Sequence, residues 1–127
     1  MSSVVLDSSA LLAFIQGEPG GEIVAGVIGD ALISSVNLAE VVTKLVERTG
    51  SLERARAALG MANIDVVDFD RSQAEQAGSL VPHTRSHGLS LGDRACLALA
   101  MRQAAPAVTA DRIWAKVELD VEVRLIR

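Results

Sequence analysis

Asp7, Glu40, Asp93 and Asp111 are the side chains in this 127-residue sequence whose placement suggests chemistry. Asp7 directly follows a short apolar run, Val4–Leu6, and interrupts the apolar stretch around it. Glu40 falls in the first turn of an expected helix, Asp93 in the first turn of a helix opened by Ser90, and Asp111 just past the run Ala107–Thr109. In an open parallel sheet the residues beyond the carboxyl ends of the strands line one crevice, and ligands bind there. The four acids are therefore predicted to converge. Like charges a few Å apart repel more strongly as water is excluded, so either some stay protonated or a cation sits among them. All-oxygen ligation without a His or Cys cluster suits Mg²⁺ or Mn²⁺ rather than zinc. Such ions align and activate water for attack on a phosphodiester and neutralise the charge that develops there.

Each acid also has a purely structural reading. Asn37-Leu38-Ala39-Glu40 and Ser90-Leu91-Gly92-Asp93 both have capping-box spacing, and acids in a first helical turn favour the helix dipole. Asp after a strand, as at Asp111, is a common turn or N-cap residue. Arg94, Arg112 and Lys116 flank the acids, where they either meet phosphates or pair with the same carboxylates. His83 and His87 stand four apart, a metal-ligand spacing on a helix, but Pro82 and Gly88 place them in a connection. Cys96 reads as packing in an apolar helix. Trp114 reads as packing against the last strand.

The elements that must position these residues follow from the pattern. Strands are expected at Val4–Leu6, Ala31–Ser34, Asp65–Val67, Ala107–Thr109 and Val121–Leu125. Between them run a helix capped by Ser8 or Ser9 through Ile15, a short one around Glu22–Ile28, and an amphipathic one from Leu38 to Gly50. Others run from Ser51 through Leu59, from Arg71 to Leu80 behind a capping Asp70, and from Ser90. That last helix is apolar on all sides from Ala95 to Met101, which predicts burial. Repeated β-α alternation argues for an α/β fold with a mostly parallel sheet covered on both faces. Gly17, Gly20 and Gly21 fit neither a phosphate-binding loop nor a dinucleotide fingerprint.

Composition bounds the function classes. The length predicts a single domain over residues 1–127. Twelve basic against sixteen acidic residues give a net charge of −4, which excludes a broad basic grip on nucleic acid. At 2% aromatic content a base-stacking platform is excluded as well. One cysteine excludes a disulfide framework and a multi-thiolate zinc site. No apolar run has membrane-spanning length, and the first residues lack a basic n-region, so a soluble, cytoplasmic domain without a membrane partner is expected.

Four segments, VVLDSSALLA, SSVNLAEV, LSLGDRACLALA and VTADRIWA, run in order from residue 4 to 115. Through them the chain resembles the PIN-domain nucleases, and most closely the VapC-type toxins of bacterial toxin–antitoxin pairs. The resemblance implies a compact α/β/α sandwich, commonly a homodimer, that cuts RNA as a metal-dependent endoribonuclease with Mg²⁺ or Mn²⁺. It implies metal-site roles for Asp7, Glu40, Asp93 and Asp111, with Ser9 and Thr109 matching the small polar positions and Arg94 and Arg112 as possible supporting residues. Trp114 stands where the family usually has Phe. It further implies a cognate antitoxin whose C-terminal segment covers the active-site groove. Two other readings compete: a phosphotransfer domain with Asp7 as nucleophile, which would need a further acid where Ser8 and Ser9 stand, and a non-catalytic PIN-like module that docks RNA or protein.

Overall fold

In the computed structural model, which describes residues 3–60 and 62–127, five short strands form one sheet. They are β1 (Val4–Leu6), β2 (Ala31–Ser34), β3 (Asp65–Val67), β4 (Ala107–Thr109) and β5 (Val123–Leu125). The order is β3-β2-β1-β4-β5, and all four pairings are parallel. The expected α/β/α sandwich is thus present, with a sheet parallel throughout.

Successive strand residues face opposite layers, and both layers are dry. Val4 and Leu6 of β1, Ala31 and Ile33 of β2 and Val108 of β4 join one core. Val5, Leu32 and Ala107 point into the other. The first core is covered by α1 (Ser8–Gln16), α2 (Gly21–Ala25), α3 (Ser35–Thr49) and α4 (Leu52–Leu59). The second is covered by α5 (Arg71–Ser79) and α7 (Leu91–Gln103), with α6 (Val81–Thr84) in the connection between them. The six residues Ala95–Ala100 of α7 are all buried, as its all-round apolar character requires. No helix among the described residues is long and apolar enough to cross a membrane.

Several boundaries move for identifiable reasons. The cap of α1 is Asp7 rather than Ser8 or Ser9: its carboxylate accepts the Ala10 amide. The helix expected from Leu38 begins at Ser35, because the hydroxyl of Ser34 at the end of β2 caps it. Glu40 therefore lies in the second turn, and Asn37 is inside the helix rather than at its cap. The Glu22–Ile28 helix stops at Ala25, and a 3-10 turn follows at Ile28–Asp30. Pro82–His87 is helical rather than a plain connection, with Pro82 tolerated near the start of α6, a 3-10 turn at Arg85–His87 and Gly88 closing it. The last strand starts at Val123 rather than Val121.

The 17–21 glycines serve packing. Gly17 closes α1 at φ 66°, and a Cβ on Gly21 would overlap the Ala13 carbonyl, so α2 folds tightly back on α1.

Candidate metal centre

Asp7 follows β1, Asp111 follows β4, Glu40 lies in α3 after β2 and Asp93 opens α7; Asp93 feels the charges of Asp111 and Glu40 and acts on Asp7, and local capping chemistry places three of the four. Asp7 ends β1 and caps α1: Oδ1 accepts from the Ala10 amide at 2.8 Å and the Ser9 hydroxyl at 2.7 Å. Its Oδ2 accepts from the Thr109 hydroxyl at 2.5 Å, across from the end of β4. Thr109 Oγ1 in turn accepts the Asp111 amide at 3.0 Å, and Ser9 Oγ accepts the Ala110 amide at 3.0 Å. The two hydroxyls thus stitch the β1–α1 junction to the β4 turn and fix Asp7 within it.

Asp93 forms a true capping box with Ser90: its Oδ2 accepts the Ser90 amide at 2.9 Å while Ser90 Oγ accepts the Asp93 amide at 3.2 Å. Asp111 caps the 3-10 turn Arg112–Lys116 through Oδ1, which accepts the Ile113 amide at 3.1 Å. Glu40 is the exception. Its Oε1 accepts from Asn37 Nδ2 at 2.9 Å, inside α3.

For Glu40, Asp93 and Asp111 the structural and chemical readings are compatible, because each accepts hydrogen bonds through one oxygen, whereas both oxygens of Asp7 are engaged. Among the described residues, Oδ1 of Asp93, Oδ2 of Asp111 and Oε2 of Glu40 accept no protein hydrogen bond. Nor does any Lys, Arg or His there pair with the four acids within 4.0 Å; the ion pairs present involve Glu18, Asp70, Glu75 and Glu122.

Asp7 is only 4% exposed, and its pKa is pushed from 3.8 up to about 6. Loss of water is the chief cause. The bonds from Thr109, Ser9 and Ala10 offset part of it, and the Asp93 charge adds to it. Asp93 is also raised, first by burial, against the Ser90 bonds, and then by the charges of Asp111 and Glu40. The acids therefore sense one another across a shared space, and no cation among the described residues pairs with them.

Uncommitted carboxylate oxygens, no soft ligand and no cation partner together suit a hard divalent ion. Among the described residues, no three His, Cys, Asp or Glu are drawn close enough to enclose an ion unaided.

The site opens onto a groove of about 610 Å³ between α1 and α3, lined in part by Ser9, Leu12, Val36, Glu40, Thr43 and Lys44. A second hollow of about 530 Å³, by Met101, Pro106 and Leu119, lies at the amino end of β4 and holds none of the four acids.

The other candidates are placed elsewhere. Arg94 donates to the Ala77 carbonyl at 3.0 Å and ties α7 to α5. Arg112 donates to the Arg127 carbonyl at 3.2 Å. Lys116 shares a surface hollow with His83, His87 and Glu118. Cys96, by contrast, is fully buried beside the acids, its thiol pushed well up by burial and then by the charges of Asp7, Asp93 and Glu40. Trp114 is fully buried in the second core. The phosphotransfer reading lacks the further acid it needs, since Ser8 and Ser9 open α1 directly after Asp7. The residues that sequence reasoning passed over are Asn37 and Gly92. The one available signal, the Asn37–Glu40 spacing, reads as a helix cap.

Comparison with known proteins gives a match to the family model "PIN domain" over residues 4–119. No curated protein matches the sequence significantly. Among solved structures, the chain is similar to a chain of DNA-bound VapBC from Salmonella typhimurium, at 19% identity over 100% of both chains with a TM-score of 0.79. It is similar to a chain of VapBC2 from Rickettsia felis bound to a promoter DNA fragment, at 18% identity over 95% of this chain and 96% of that one, with a TM-score of 0.74. It is also similar to Mycobacterium tuberculosis VapC20, a sarcin-ricin loop cleaving toxin, at 19% identity over 94% and 99% of the chains with a TM-score of 0.71. At such identities these structures speak to the fold.

Proposed function

The chain belongs to the PIN domain family, and we propose that it is a metal-dependent endoribonuclease acting as the toxin of a toxin–antitoxin pair. The observation that carries this reading is the set of four carboxylates around the strand ends with no cation among the described residues paired to them. Asp7, Glu40, Asp93 and Asp111 would hold Mg²⁺ or Mn²⁺, and the bound ion supplies a Lewis acid that activates water and neutralises charge gathering on a phosphodiester.

The chain's own residues do the rest. Thr109 and Ser9 orient Asp7 and favour its charged form. The caps at Asp93 and Asp111 hold each carboxylate by one oxygen and leave the other for binding. Lys44 lies one helical turn beyond Glu40 on the same groove, unpaired among the described residues, and offers its ammonium to a neighbouring phosphate of the strand. An overall charge of −4 is compatible with an anionic substrate because the local sign at the site is set by the ion.

RNA as the substrate class is supported by the family and by the named activity of the VapC20 neighbour. An antitoxin as partner is supported by the VapBC neighbours. Its covering segment would lie along the α1–α3 groove. Pairing into a homodimer and residence in the cytoplasm, where RNA and antitoxin meet it, complete the reading.

The test incubates RNA with purified protein and Mg²⁺ or Mn²⁺. Cleavage that EDTA or Asp93→Asn abolishes is expected. Wild-type rates in Asp93→Asn would sink the assigned site, and tight metal binding without cleavage of a broad RNA panel would favour a non-catalytic docking module.

A further inference from the structure

Asn37 is 1% exposed, and its Nδ2 donates to two acceptors at 2.9 Å: Oε1 of Glu40 in its own helix and the carbonyl of Gly92 in the first turn of α7. Its Oδ1 is buried without a partner. A buried amide oxygen left without a partner is unfavourable. Packing alone would thus favour an apolar side chain here, and what Asn offers instead is its pair of N–H bonds. Gly92 completes the contact from the other side. A Cβ at that position would overlap Glu40 Oε2 and stand 2.7 Å from both Oε1 and Cδ. The Glu40 carboxylate therefore lies flat against the α7 backbone, held at Oε1, with Oε2 free of protein hydrogen bonds and Asp93 the next residue along the chain.

From this arrangement we propose that Asn37 and Gly92 form a clasp that positions the Glu40 carboxylate beside Asp93 for cation binding. Neither residue touches the ion or the substrate. Both act through Glu40. A free Glu side chain samples many rotamers, and fixing it on metal binding costs side-chain entropy. The clasp meets that cost when the chain folds, so the carboxylate is already in place when the ion arrives. It also keeps Glu40 next to another carboxylate, an approach their like charges oppose. The inference rests on the reading of the acidic cluster as a metal centre, and the experiment separates the two.

Mn²⁺ alone is titrated calorimetrically into the metal-stripped full chain, with thermal unfolding measured in parallel. Asn37→Leu keeps the branching and the heavy-atom count and removes both donors without adding charge. Gly92→Ala fills the space under the carboxylate. Because Ala outranks Gly inside a helix, Gly92→Ala is expected to keep or raise the unfolding temperature. Each variant is expected to lose about 10- to 100-fold in Mn²⁺ affinity, as orienting partners of ligands do. In a Glu40→Ala background Asn37→Leu should cost nothing more, because the residue it serves is gone. Wild-type affinity in both clasp variants, with binding lost in Asp93→Asn, overturns the clasp and leaves the metal centre standing. A full further loss on the Glu40→Ala background also overturns it. Unchanged binding in Asp93→Asn overturns the metal centre, and the clasp with it. If Asn37→Leu does not fold, Gly92→Ala decides alone.

Discussion

Replacing Asp7 by Asn should make the metal-free protein more stable at neutral pH, although Asp7 caps a helix and takes three hydrogen bonds. The native carboxyl ionises at about 6 against an ordinary 3.8. The folded state thus binds this proton more tightly than the unfolded one. Its stability contribution is complete below 3.8, falls as the pH rises, and is fully lost above 6. A shift from 3.8 to about 6 corresponds to about 3 kcal/mol at about 1.4 kcal/mol per unit. The group is almost wholly buried, so solvent screening takes little from this figure. An Asn at the position carries no charge and keeps the shape. Its amide oxygen still accepts from Ala10 and Ser9, and its NH₂ meets the Thr109 oxygen, whose hydroxyl can turn toward Ser9 Oγ at 3.4 Å. The assay is thermal unfolding of both proteins in EDTA, at about pH 4 and about pH 8. Asp7→Asn should gain about 10 °C at the higher pH and almost nothing at the lower. Mn²⁺ at about a hundred times its dissociation constant should restore about 2.7 kcal/mol to the wild type and far less to the variant. A variant less stable than wild type at the higher pH, or an equal difference at both, would refute the argument that burial of an uncompensated charge dominates this residue.

Thr109→Val removes the donor to Asp7 Oδ2 and the acceptor of the Asp111 amide. It should cost about 1–3 kcal/mol of stability and raise the pH at which the Mn²⁺ affinity reaches its plateau, read by denaturant unfolding and by titration calorimetry across pH. Unchanged pH dependence would mean that Thr109 does not help to keep Asp7 ionised. The Cys96 thiol, fully buried and pushed well above its usual range, should resist iodoacetamide in the native protein and react fully once unfolded. Labelling of the native chain at the unfolded rate would show that α7 opens readily.

The strand ends were legible because β1, β2 and β4 are apolar on both faces, and only a sheet covered by helices on both sides buries such runs. The expectation that Asp7, Glu40, Asp93 and Asp111 share one crevice came from topology alone. Element starts were less legible. Ser34 and Asp7 do double duty, each closing a strand and capping the next helix, so the chain passes from one element to the other with no intervening loop for sequence reasoning to find. The same overlap hid Asn37. Its spacing to Glu40 looks like a cap, but the true cap is three residues earlier, and its second partner is the Gly92 carbonyl 55 positions away. A backbone acceptor carries no side-chain signature, so no pattern in the sequence points to it.

The question of whether each acid caps a helix or serves chemistry turns out to pose a false choice. A cap fixes a carboxylate by one oxygen at a helix N-terminus, where the first-turn amides and the dipole favour its charged form. At the carboxyl end of a parallel strand that N-terminus faces the crevice, so capping aims the second oxygen where a ligand binds. Asp93 and Asp111 follow this logic directly, and Asp7 follows it with Thr109 on the second oxygen. Glu40, set a turn too deep in α3 to cap anything, has no such support and is held by Asn37 and Gly92. The acid that lacks a cap is thus the one for which side chain and backbone from two helices are recruited.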